Sequence, residues 1–168
     1  MEQTRETFLE WIRDAHAAEK QALTMLGTQA ERIENYPALR ARIEQHRQET
    51  EGQVKALDDL LERYSSGSSM VKGATGRMMA FAQGMSGALA SDEVVKGGLF
   101  SYSFEHMEIA SYRILIATAR RLGDMQAVGV LEAILAEEVA MADWLKENID
   151  AIVNEYLDRV ERDVEAKR

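Results

Sequence analysis

Residues 8–26, FLEWIRDAHAAEKQALTML, decide the fold. Phe8, Ile12, Ala15, Ala22 and Leu26 recur at the spacing of one helix face. Glu19 falls on that face too, in a slot that the spacing gives to the core. A buried carboxylate without a partner is costly. The stretch therefore predicts a long amphipathic helix that carries an acid into the interior.

Outward from it, the helical pattern runs over residues 4–33 and breaks at Asn35-Tyr36-Pro37, where Pro37 suits the first turn of a new helix. A second helix is predicted over 37–64, through Leu39, Ile43, Val54, Leu57, Leu60 and Leu61. Ser65-Ser66-Gly67-Ser68-Ser69 reads as a loop. Residues 70–90, rich in Gly, Met and Ala, are predicted as a weak helix crossing the bundle, their methionines serving as flexible packing. A third helix over 92–122 has Ser91 as N-cap, and Gly123-Asp124 ends it. A fourth follows over 124–148, then a more polar one over 150–165 with Ile152, Val153, Tyr156, Leu157 and Val160. No period-two pattern appears. The fold class is all-α: a ferritin-like four-helix bundle of two antiparallel hairpins, with a long helical crossover and an extra C-terminal helix.

Composition agrees. A chain of 168 residues, 46% hydrophobic and 29% charged, has the balance of one globular domain spanning 1–168. The absence of cysteine excludes disulfides, thiolate metal sites and cysteine nucleophiles. A net charge of −9 argues against nucleic acid as a partner. No segment approaches the roughly 20 apolar residues of a membrane span, and Met1–Arg5 lacks the features of a signal peptide. The expected location is the cytoplasm, without membrane contact.

Further acids interrupt apolar stripes. Glu138 stands in line with Leu131, Leu135, Ala142, Leu145 and Ile149. Glu105 and Glu108 share a face with Tyr102, Tyr112 and Leu115, whose tyrosine hydroxyls are expected to reach the acids. His46, Glu49 and Gln53 lie along one side of the second helix. The midpoint of Glu19 and Glu49 is residue 34, in the first turn, and that of Glu108 and Glu138 is Gly123. In an antiparallel hairpin, residues equidistant from the turn face each other. Each of these glutamates is 15 residues from its turn, or roughly 22 Å along the helix, so the four are expected to meet near mid-height. His16, one turn before Glu19, reads as a packing or supporting residue. His106 points about 100° away from Glu105.

The segments Ala18-Glu19-Lys20-Gln21, His46-Arg47-Gln48-Glu49-Thr50, Phe104-Glu105-His106-Met107-Glu108-Ile109-Ala110-Ser111-Tyr112 and Leu135-Ala136-Glu137-Glu138 resemble the motifs of the YciE/YciF family. These are ferritin-like bacterial proteins associated with stress responses and distantly similar to rubrerythrins. The resemblance covers nearly the whole chain in the right order, and Glu-His-x-Glu-Ile-Ala-x-Tyr is its most specific part.

The chain departs from the usual di-iron bundle, which takes a lone Glu from each of two helices and Glu-x-x-His from the other two. Three residues after Glu49 stands Gly52, and three after Glu138 stands Met141. His46 offers a nitrogen from the other direction, and Glu105-x-x-Glu108 is similar to the Glu-x-x-Glu of rubrerythrins. Asp143 lies about 140° round the helix from Glu138 and is a poor substitute. The expected metal site is Glu19, His46, Glu49, Glu105, Glu108 and Glu138, an oxygen-rich set that suits iron or manganese. Two functions follow as expectations: a metal-dependent protein handling iron, oxygen or peroxide, or a structural and protective stress protein without metal chemistry. A storage shell finds no assembly signal. The long apolar stripes and the resemblance both point to a homodimer.

Overall fold

The computed structural model describes residues 1–65 and 92–166, which form four helices and no strand. These are α1 (Glu2–Arg32), α2 (Pro37–Ser65), α3 (Glu93–Leu122) and α4 (Met125–Glu161). The crossover helix expected over 70–90, and Ser91 as a cap, lie outside the described residues.

Local chemistry sets the helix ends. Ile33 leaves the helical region (φ −80°, ψ 110°), and Pro37 opens α2 four residues later. Gly123 ends α3 in the left-handed conformation (φ 74°), which a residue without a Cβ adopts at no steric cost. Asp124 then caps α4, its Oδ1 accepting from the Ala127 amide at 3.0 Å. The same carboxylate accepts from the Tyr64 hydroxyl and from Arg63 at 3.1 Å, which ties the end of α2 to this turn.

α1 packs on α2 and α3, and α4 on α3 and α2. Across α1–α3, Gln29 meets Ser101 and Glu19 meets Tyr112. Across α2–α4, Arg63 meets Asp124 and Gln53 meets Glu138. Positions rise on one helix as they fall on the other, so both interfaces are antiparallel. α2 and α3 are thus parallel across the diagonal. α2 finishes beside Asp124, whereas α3 starts at the opposite end, where Arg32 Nη2 bonds Glu93 at 2.8 Å. This is the arrangement of a ferritin-like bundle.

The expected break near residue 149 is not there. One helix runs from Met125 to Glu161. Between Trp144 and Glu161 no glycine or proline intervenes. Asn148 satisfies its amide locally, donating to the Trp144 carbonyl at 2.8 Å. Leu145 and Ile152 keep one buried face going. Beyond α4 the chain turns at Asp163 (φ 55°), and the Tyr36 hydroxyl donates to the Ala166 carbonyl at 2.6 Å.

A run of buried positions in steps of four and three lines every helix. On α2 they include Leu39, Ile43, His46, Thr50, Gln53 and Leu57; on α4, Leu131, Ile134, Glu138, Met141 and Leu145. A 3.5-residue repeat is the signature of left-handed knobs-into-holes packing. The seam holds two apolar layers. One gathers Phe8, Ile12, Leu57, Leu115 and Leu131 near the Gly123 turn, the other Leu26, Ile43, Phe104, Met141 and Leu145 near the Pro37 turn. Between them the same seam positions are polar.

Candidate metal centre

The polar layer draws on all four helices: Glu19 from α1, His46, Thr50 and Gln53 from α2, Glu105 and Glu108 from α3, and Glu138 from α4. Each is at most 3% exposed. Ligand atoms of His46, Glu105 and Glu138 lie within 4.8 Å of one another, and so do those of Glu19, Glu108 and Glu138. Glu138 belongs to both sets. His46 Nε2 is 3.3 Å from Glu105 Oε2 and 3.6 Å from Glu138 Oε2. Its Nδ1 lies 2.9 Å from Glu49 Oε2, which fixes the ring so that Nε2 faces the interior. Gln53 Nε2 donates to Glu138 Oε1 at 2.6 Å, and Tyr112 donates its hydroxyl to Glu19.

Burial and mutual repulsion govern the protons. Burial, then the charge of Glu138, pushes Glu19 up to about 8. Burial lifts Glu105 to about 7 against the pull of His46. Burial and the facing Glu19 hold Glu108 well above the carboxylate range. Burial would also raise Glu138, but His46, Glu105 and Gln53 bring it below its ordinary value. Burial disfavours the His46 cation, yet Glu105 and Glu138 carry its pKa up to about 11. Without a metal, the layer at neutral pH therefore holds a His46 imidazolium against an ionised Glu138, with Glu108 and most of Glu19 protonated.

Of the six expected site residues, five come together and Glu49 does not join them. It faces outward, 21% exposed, and accepts from Arg42 at 3.2 Å and Gln45 at 2.8 Å as well as facing His46. These partners hold its pKa low despite partial burial. Equal distance from the turn fixes height along the bundle but not the direction round the helix. On α2 the inward direction at this height belongs to His46, Thr50 and Gln53. Tyr112 reaches an acid as expected. Tyr102 does not, and packs edge-on against the exposed His106, with ring centroids 4.5 Å apart. His16 pairs with Asp58 at 2.8 Å, outside the polar layer. Gln53 and Thr50 gain their importance from the seam; extending the step from Leu39 and Ile43 to Leu57 and Leu60 would have found both.

The residues present fit a pair of divalent cations. Glu19 Oε2 and Glu108 Oε1 are buried and complete no hydrogen bond among the described residues, while Glu105 Oε2 and Glu138 Oε2 share the single His46 Nε2, at 3.3 and 3.6 Å. Buried polar atoms are almost always satisfied, so two unsatisfied carboxylate oxygens beside two that share one imidazole leave room for a further partner. One imidazole and four carboxylates form a hard, oxygen-rich donor set, suited to iron(II) or manganese(II).

The sequence model of a family described as "Domain of unknown function (DUF892)" matches residues 3–158, which contain every residue of the polar layer. Protein YciF of Escherichia coli (strain K12) is 29% identical over 144 residues, 83% of this chain and 86% of that protein. The crystal structure of a protein from Xanthomonas campestris pv. campestris superposes with a TM-score of 0.79 at 42% identity, over 95% of this chain and 99% of that one. The crystal structure of the E. coli stress protein YciF gives a TM-score of 0.77 at 25% identity, over 92% and 99%. No helix among the described residues is long and apolar enough to cross a membrane.

Proposed function

The chain belongs to the YciE/YciF family, whose sequence model carries the description DUF892, and from that premise we propose that it holds two divalent cations, iron or manganese, and handles iron, oxygen or peroxide under stress. One observation carries the proposal: four buried acids turn oxygens into one layer where a single imidazole faces two of them and nothing described bonds the other two, and Glu138 is common to two three-residue donor sets.

In this reading His46, Glu105 and Glu138 hold one cation, and Glu19, Glu108 and Glu138 the other. A redox-active pair bound there would supply one-electron chemistry. The chain's own residues do the rest. Glu49 orients the His46 ring through Nδ1. Tyr112 fixes one oxygen of Glu19 and leaves the other free. Gln53 holds Glu138 by Oε1, so that Oε2 remains available. The apolar layers on either side exclude water along the seam. Repulsion among the acids resists their joint ionisation, so cations compete with protons for the layer.

The test is metal analysis of purified protein together with thermal unfolding after chelation. Iron(II), kept anaerobic, or manganese(II) should raise Tm at near-neutral pH, because a ligand that binds only the folded state stabilises it by mass action. No copurifying metal and no thermal shift with either ion would sink the proposal. The structural and protective reading would then take its place, with the His46 imidazolium and protonated acids satisfying the layer.

A further inference from the structure

The acids of the polar layer are almost wholly buried, so a cation must cross one face of the bundle to reach them. Two half-buried acids connect to the layer through a buried polar side chain. Glu49 does so through His46, but the Arg42 guanidinium already compensates its charge. Glu137 does so through Gln53, whose Nε2 donates to Glu137 Oε2 at 2.9 Å and to Glu138 Oε1 at 2.6 Å. Glu137 has no basic partner among the described residues. Gln53 is 1% exposed, and its Oε1 completes no hydrogen bond. An amide bridging two carboxylates by its NH2 keeps a carbonyl oxygen in reserve, and such oxygens are ligands for hard cations.

We propose that cations enter between α2 and α4, pausing at an outer station made by the Glu137 carboxylate and the Gln53 amide oxygen before passing to Glu138. Glu137 attracts and partly dehydrates the ion at the bundle surface. Gln53, released from its two carboxylates, turns its oxygen to the ion and hands it inward. On the α1–α3 face the corresponding acid, Glu19, accepts from the Tyr112 hydroxyl, itself 1% exposed. This inference rests on the proposed cation centre and adds its route.

The experiment follows uptake of cobalt(II) by chelator-treated full-length protein, using stopped-flow absorbance and equilibrium titration at one pH and salt concentration. Glu137→Gln should slow uptake by about fivefold or more, as expected when a guiding charge is removed from an entry path, with final stoichiometry and Kd unchanged. Gln53→Met, which keeps the volume of the side chain, should slow it as well, with circular dichroism confirming the fold. Glu147→Gln, an exposed acid on the same helix, controls for loss of overall negative charge and should leave the rate within about twofold of the parent. Equal rates for Glu137→Gln and Glu147→Gln would overturn the route, as would a lower stoichiometry in Glu137→Gln, which would make Glu137 a ligand. A parent protein that takes up no cobalt(II) overturns the centre itself and not merely its entrance.

Discussion

The hydroxyl of Tyr112 on α3 donates to the carboxylate of Glu19 on α1, and both side chains are 1% exposed. The bond joins the two hairpins at the height of the polar layer. Burial and the adjacent Glu19 raise the Tyr112 pKa well above its ordinary value, so the phenol stays a donor across the accessible pH range. Tyr112→Phe removes the one hydrogen bond that Glu19 completes among the described residues. The expected cost is about 2 kcal/mol in metal-free protein, or a Tm lower by roughly 4–8 °C for a chain of this size. Calorimetry on chelated protein measures it; an unchanged Tm would show that the bond adds nothing net.

Glu138 should be the least replaceable ligand, since both donor sets include it. Glu138→Gln should abolish uptake of both cations. Glu19→Gln should leave the position formed by His46, Glu105 and Glu138 and reduce the count to one. Calorimetric titration with manganese(II) separates the two variants, and equal stoichiometries would refute the shared-ligand arrangement.

In metal-free protein, stability should fall as pH rises from 5 to 8. Glu19 and Glu105, raised to about 8 and about 7, and the more strongly raised Glu108, keep protons in the folded state that the unfolded chain releases near 4.5. Where the folded state binds more protons, raising the pH destabilises it. His46, raised to about 11, adds to the loss above 6.5. Glu138, lowered by its partners, works the other way, but only as pH falls through the acid range. With saturating manganese(II) the trend should flatten or reverse, because the cation displaces those protons. Unfolding curves at pH 5.5 and 8.5, with and without the ion, supply the comparison; a metal-free Tm that rises with pH contradicts the assignment.

Two glycines should respond in opposite directions. Gly123 sits at φ 74° with open space where a Cβ would stand, so Gly123→Ala suffers from backbone conformation alone, about 1 kcal/mol. Gly52 lies within α2, and an added Cβ there meets nothing within 4 Å. Gly52→Ala should therefore stabilise by about 0.5–1 kcal/mol. Urea denaturation of the pair gives both signs in one experiment.

The sequence disclosed the hairpins, their turns at Pro37 and Gly123, and the height at which the acids meet. Spacing and the special backbone needs of proline and glycine are local signals, and the helices obeyed them. It did not disclose the direction of Glu49. Acid and histidine three residues apart look equivalent on a helix until a neighbouring helix selects one of them, and the seam selected His46. The continuity of α4 through Asn148 and Asp150 was likewise hidden. Weak helix formers read as an ending until packing of Ile152 on the bundle outweighs their preference.

The polar layer between two apolar ones also acts as a key for alignment. Sliding α1 by one heptad in either direction would bring Ile12 or Leu26 to the height of Glu19 and push the acid among aliphatic side chains. The same slide of α4 would exchange Glu138 for Leu131 or Leu145. Each such displacement buries an unmatched carboxyl group, so only one vertical arrangement of the four rods is tolerated. Selection against misalignment can therefore preserve these acids in a chain that has ceased to bind anything, and their presence in a sequence testifies to geometry before it testifies to chemistry.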